Sequence, residues 1–265
     1  MKTNRAFLAG AIASAVVVLG ANAQINYINN VEALTSGTVV PLNSGPVVTA
    51  ILSTPGTLDG YTYTSYSFLV NDGTGSLDVY GNLAGLGYTP TVGDSINISG
   101  TYSPYHQIPE MGTLTSITLN SSGNSVPGPA LTTIPGAIAN DTIPLSMAGH
   151  LLEIDNVSLY TDSAATIPVS GNFVTHASQA LYMKDSGGNI MELYDWASSY
   201  STDGAMGGTP IPTGPVDVVG FLSNSSTTFP PEMTPLSITQ VPEPSTLVLT
   251  GLGLAGLLVS RRRIS

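Results

Sequence analysis

Four short motifs each occur twice in this chain and in the same order, which confines the fold to two copies of one small unit. Tyr66-Ser67-Phe68-Leu69-Val70-Asn71-Asp72-Gly73-Thr74-Gly75-Ser76-Leu77-Asp78-Val79-Tyr80 is matched, with one slip, by Ala180-Leu181-Tyr182-Met183-Lys184-Asp185-Ser186-Gly187-Gly188-Asn189-Ile190-Met191-Glu192-Leu193-Tyr194. Each copy is a strand-like run, an Asp/Gly turn and a second strand-like run. Ile96-Asn97-Ile98-Ser99-Gly100-Thr101-Tyr102-Ser103 parallels Val216-Asp217-Val218-Val219-Gly220-Phe221-Leu222-Ser223. Pro109-Glu110-Met111 parallels Pro231-Glu232-Met233, and Ser116-Ile117-Thr118 parallels Ser237-Ile238-Thr239. Each unit also opens on a strand candidate after a glycine, Val47-Val48-Thr49-Ala50-Ile51 and Leu151-Leu152-Glu153-Ile154-Asp155. Short alternating runs broken by Gly, Pro, Asn, Asp and Ser, with no long stretch of helical period, read as antiparallel β. The expectation is an all-β body of two units with about five strands each, over residues 24–124 and 137–240, joined by the Pro- and Gly-rich stretch 125–136. Limited proteolysis is expected to cut that joint first and leave two folded fragments.

Two apolar segments bracket the body. Lys2 and Arg5 precede an apolar run over residues 6–19, and Ala21-Asn22-Ala23 closes it, which is the order of a secretory signal peptide over residues 1–23. Ala21 and Ala23 are the small residues that set cleavage after Ala23. At the other end Val241-Pro242-Glu243-Pro244-Ser245 precedes an apolar helix candidate over residues 247–259, and Arg261, Arg262 and Arg263 follow. Positive charge directly after an apolar segment keeps the charges cytoplasmic, so the body lies outside the membrane. The apolar part is shorter than the roughly 20 residues that cross a hydrocarbon core, which suits a transient or processed anchor.

Charge narrows the partners. The body holds sixteen acidic residues against Lys184 alone, a net charge near −15. Nucleic-acid binding rests on Lys and Arg neutralising phosphates, and a single lysine cannot supply that, so DNA and RNA are excluded. With no cysteine in the chain, disulfides, thiolate metal sites and a cysteine nucleophile are excluded as well.

The tail, with Pro242-Glu243-Pro244, a short apolar helix and an arginine cluster in that order over residues 241–265, closely resembles the PEP-CTERM sorting signal of Gram-negative bacteria. The resemblance implies that a membrane-embedded cysteine protease, an exosortase, recognises the Pro-Glu-Pro element and removes the tail. The implied partners are the export machinery and the exosortase, and the implied route leads through the inner membrane to the cell surface or beyond. Residues 31–119 resemble the OB-fold modules appended to bacterial secreted nucleases and other hydrolases. The resemblance rests on Gly37-Thr38-Val39-Val40, Asp72-Gly73-Thr74-Gly75, Gly93-Asp94-Ser95-Ile96-Asn97-Ile98-Ser99-Gly100 and Pro109-Glu110-Met111. It implies two tandem OB-like five-stranded barrels, flanked by an N-terminal signal helix and a C-terminal hydrophobic helix, in an accessory and not a hydrolytic role.

Candidate sites are few. Asp72-Gly73-Thr74-Gly75-Ser76-Leu77-Asp78 has the oxygen content of a calcium loop but lacks the closing glutamate of an EF-hand, and Asp-Gly between strands is a hairpin signal. His106, His150 and His176 share no metal-ligand spacing. No Gly-x-Ser-x-Gly elbow, phosphate loop or His-Glu-x-x-His helix occurs, and no catalytic, cofactor-binding or metal-binding residue is assigned. Tyrosines are frequent, Tyr66, Tyr80, Tyr102, Tyr182 and Tyr194 among them, and the single tryptophan, Trp196, follows Asp195. A flat ring beside a carboxylate can stack on a sugar and hydrogen-bond to it, which makes Trp196 and Asp195 the candidate glycan contacts and exopolysaccharide a candidate partner. The expected function is that of a non-enzymatic surface or matrix protein. The alternatives are a polysaccharide-binding module and a carboxylate-based glycan-processing enzyme.

Overall fold

The computed structural model describes residues 27–31, 33–58, 61–105, 107–137, 147–174, 178–195, 206–223 and 231–241. Ala21, Ala23, Trp196, His106, His176 and the tail from Pro242 onward lie outside the described residues, as do both flanking helices expected from the sequence. Among the described residues no helix is long and apolar enough to cross a membrane.

In chain order the elements are α1 (Ile28–Val31), β1 (Val39–Leu42), β2 (Val47–Ser53), β3 (Gly56–Leu58), β4 (Tyr61–Tyr63), β5 (Tyr66–Asn71), β6 (Ser76–Gly81), β7 (Ser95–Tyr102), β8 (Glu110–Ser121), β9 (Ala130–Thr132), α2 (Ile134–Ala137), β10 (Leu152–Tyr160), β11 (Gln179–Lys184), β12 (Ile190–Asp195), β13 (Val216–Ser223) and β14 (Glu232–Gln240). The period-2 pattern sorts side chains cleanly between the faces. In β7, Ile96, Ile98, Gly100 and Tyr102 are buried while Ser95, Asn97, Ser99 and Thr101 between them are half-buried.

β2, β5, β6, β8 and β7 pair in that order, and β7 returns to β2 at Val47↔Ser95, which closes a five-stranded barrel. Phe68, Leu77, Ile96, Ile98 and Met111 fill it. In the second sheet β10, β11, β12, β14 and β13 follow the same order, and β10 pairs with both β13 and β11. Its interior holds Leu152, Leu181, Met183, Leu193 and Met233. Met111 and Met233 of the two Pro-Glu-Met motifs are both fully buried, while Glu110 and Glu232 precede them on the opposite face of their strands.

Register corrects one sequence alignment. Val40 faces Gly100 and Leu42 faces Ile98, just as Leu152 faces Gly220 and Ile154 faces Val218. The strand equivalent to Leu151-Leu152-Glu153-Ile154-Asp155 is therefore β1, and not Val47-Val48-Thr49-Ala50-Ile51. β1 and β2 together take the place of β10, which bends at Asn156 (φ 55) where the first unit inserts a turn through Gly45 (φ 69). The two hairpins differ only in the turn. Strand pairing ends at Asn71↔Ser76 in one and at Lys184↔Ile190 in the other, so the second turn is one residue longer, and that is the slip between the repeats.

Residues from Ala130 onward in the joint belong to the second sheet, where β9 pairs in parallel with β10. The two units also pack against each other. Ala50, Leu52, Leu69 and Ile108 of the first form one apolar cluster with Phe221, Leu151 and Leu236 of the second. Burial of Phe221 alone contributes about 2 kcal/mol. A nick in the joint would leave the halves held together by this cluster.

Candidate functional site

The hairpin loops are turns built on their own carboxylates. Asp72 Oδ1 accepts from the Thr74 backbone N–H at 2.9 Å and the Thr74 hydroxyl at 2.6 Å, and Oδ2 accepts from the Ile28 N–H at 2.9 Å, which ties α1 to the barrel. Burial alone would raise the Asp72 pKa, but these donors outweigh it and hold the group below its ordinary value. Asp185 accepts from the Asn189 side chain at 2.8 Å and its N–H at 2.9 Å, and these bonds lower its pKa too. Gly73 (φ 83) and Gly188 (φ 85) supply the left-handed residue of each turn. The Gly93-Asp94 motif is also structural: Asp94 accepts from Tyr88 at 3.0 Å and from Ser122 at 2.7 Å, beside a shallow cleft of about 580 Å³.

The outer faces of the two sheets carry different chemistry at matching positions. In the first, the cross-strand row is Ala50–Leu69–Asp78–Glu110. In the second, the corresponding row is Tyr160–Tyr182–Glu192. Ala50 and Leu69 are covered by the second unit, whereas Tyr160, Tyr182 and Glu192 remain half-buried. Lys184, one step along the same face, places its ammonium 5.8 Å from the centre of the Tyr160 ring. Tyr194, also half-buried, continues the face along β12. Burial raises the Tyr182 pKa, and the charges of Glu192 and Asp162 raise it further, while burial raises that of Glu192. Sequence reasoning singled out Tyr182 and Tyr194 but missed Tyr160. Its signal was the Ser158/Tyr160 alternation at the end of a strand whose limits were placed too early.

Asp195 ends β12 on the inward face with Met191 and Leu193. It is 2% exposed, neither carboxylate oxygen has a hydrogen-bond partner among the described residues, and burial pushes its pKa up to about 6. As a glycan contact it would have to act from the inward face of the second sheet. His150 is partly buried, which lowers its pKa.

Glu153, Asp155 and Asp217 bring carboxylate oxygens within 4.8 Å of one another at the β10 bulge. Asp217 also accepts from the Asn156 N–H at 2.9 Å. Sequence spacing concealed this trio because it lies on two distant strands. Three carboxylates fall short of the roughly six to eight oxygens that calcium takes.

Asp78 and Glu110 face each other across the parallel β6–β8 pair, and Ser67 donates to Asp78 Oδ1 at 2.9 Å. Burial pushes Asp78 up to about 7; burial and then the Asp78 charge push Glu110 up to about 8. With no adjoining cation among the described residues, the pair keeps its protons far into the neutral range. The folded-state values exceed the unfolded ones, so the stabilising contribution is whole below about pH 4 and lost by about pH 8. The carboxylates with lowered values, Asp72, Asp162 and Asp185, act the other way and cost stability only below about pH 4. The unfolding free energy is therefore expected to peak at about pH 4–5 and to fall toward pH 8 by on the order of 1–2 kcal/mol, the full shifts being discounted for solvent screening, and the melting temperature should fall with it. Asp78→Asn and Glu110→Gln should each flatten that fall in a pH series of thermal melts.

No curated protein matches the chain. A family model described as the PEP-CTERM protein-sorting motif matches residues 240–263, which contain Pro242, Glu243, Pro244 and Arg261, Arg262 and Arg263. This chain carries a PEP-CTERM sorting motif at its C-terminal end, and the motif implies export and exosortase processing.

Proposed function

We propose that this is a non-enzymatic surface or matrix protein, delivered by export, held briefly at the inner membrane by its tail and freed when an exosortase acts at Pro242-Glu243-Pro244. The observation that carries this reading is the sorting motif at residues 240–263. The body is read as two OB-like units descended from one. Three features support that: the shared strand order, the paired glycines Gly100 and Gly220 at equivalent register, and the equivalent core methionines. The accessory role agrees with Asp72, Asp94 and Asp185, three of the motif carboxylates, being engaged in holding turns. Mass spectrometry of the native surface protein tests the sorting reading. The expected C-terminus lies before Arg261, and a surface form that still ends in Arg261, Arg262 and Arg263 would overturn it.

A further inference from the structure

We propose that the outer face of β10, β11 and β12 binds a neutral saccharide chain, with the Tyr160 and Tyr182 rings as stacking surfaces and Glu192 and Lys184 as hydroxyl partners. This goes beyond the sorting reading and does not depend on it. The observation that carries it is the comparison between the two units. One topological position holds Ala50 and Leu69 in the first unit, where the second unit covers them; in the second unit it holds Tyr160 and Tyr182, half-exposed. A duplicated face that had only to be covered would keep small and aliphatic residues. This one carries two aromatic rings.

The chemistry of the face selects its occupant. Tyr160 and Tyr182 are directly opposed on neighbouring strands, so their side chains leave one row with Cβ atoms about 5 Å apart. Such a pair offers apolar surface and two hydroxyls to a flat, amphipathic ligand. Sugar rings match it because they carry apolar C–H faces and hydroxyl edges. Glu192, on the same row, supplies an acceptor, and Lys184 beside Tyr160 supplies a donor. A polyanion is disfavoured, because the only ammonium of the body stands among sixteen acids. A second copy of the chain is disfavoured as well. The apolar set Phe221, Leu151 and Leu236 of the second unit is already taken up by the first, and a body with a net charge near −15 repels its own kind.

The test uses the full chain in mild detergent and affinity electrophoresis through gels containing dextran, hydroxyethylcellulose, soluble glycol chitin or alginate. Retardation by at least one of the first three, and not by alginate, is expected. Tyr182→Ala should weaken that retardation about tenfold, Tyr182→Phe should largely preserve it, and Tyr80→Ala, at the corresponding end of the other hairpin, should leave it unchanged. A measurement without substitution keeps the test independent of folding: the retarding polymer should protect Tyr160 and Tyr182 of the native chain from nitration, read by peptide mass. No retardation by any neutral polymer, equal retardation by alginate, or protection that tracks self-association in sedimentation would each overturn the proposal.

Discussion

Alanine replacement of Pro242, Glu243 and Pro244 is expected to abolish release almost completely, leaving the full-length chain in the membrane fraction of an exosortase-bearing host. Each proline fixes φ near −65° and lacks an N–H, and the residue before a proline is pushed out of the α region. Glu243 stands between two prolines, so sequence alone keeps this element out of the apolar helix expected to begin near Leu247. Alanine reverses both effects. It is the strongest helix former, and it removes the glutamate that a protease could read. On the proposed reading the three arginines beyond the apolar segment would resist transfer through the bilayer and hold the substrate while it is processed. Cell fractionation and intact mass would show wild type shortened and released, and the triple-alanine chain retained with Arg261, Arg262 and Arg263. A triple-alanine chain that is still shortened and released would assign processing to another element of the tail.

Much of the fold was legible because its signals are local. The Asp-Gly turn at Asp72 and the alternation in β7 each sit within a few residues, and their duplication gave the order of elements. The first strand was misaligned for a physical reason. Val39-Val40 and Val47-Val48 are both apolar runs that follow a glycine, and only hydrogen-bond register distinguishes which of them faces Gly100. The candidate site was less legible, because it depends on which outer face stays open. Leu69 and Tyr182 occupy equivalent strand positions, yet one lies under the second unit, and that contact joins Leu69 to Phe221, far along the chain. Asp195 is singled out in the sequence by standing beside Trp196, whereas alternation places it on the inward face with Met191 and Leu193.

Gly220→Ala should be the most destabilising of the glycine-to-alanine changes at Gly220, Gly100 and Gly73, at about 3 kcal/mol or more, a large part of an ordinary domain's stability. A Cβ at Gly220 would overlap the Thr234 carbonyl oxygen and lie 3.0 Å from its carbon, both backbone atoms of the neighbouring strand. No rotamer relieves a backbone clash, so β13 and β14 must separate at the point where their register shifts. Phe221, the next residue, would move with them and loosen the cluster that joins the two units. Gly100 holds the equivalent place, with Gly112 O at 2.7 Å and Met111 Cγ at 2.8 Å; part of that crowding is side chain, so Gly100→Ala should cost less. Gly73→Ala, with open space around it but φ 83, should cost only about 1 kcal/mol of backbone strain. Urea denaturation of the three variants would check the ranking as Gly220, then Gly100, then Gly73. A Gly220→Ala midpoint equal to that of Gly73→Ala would mean that the strands do not meet in this register.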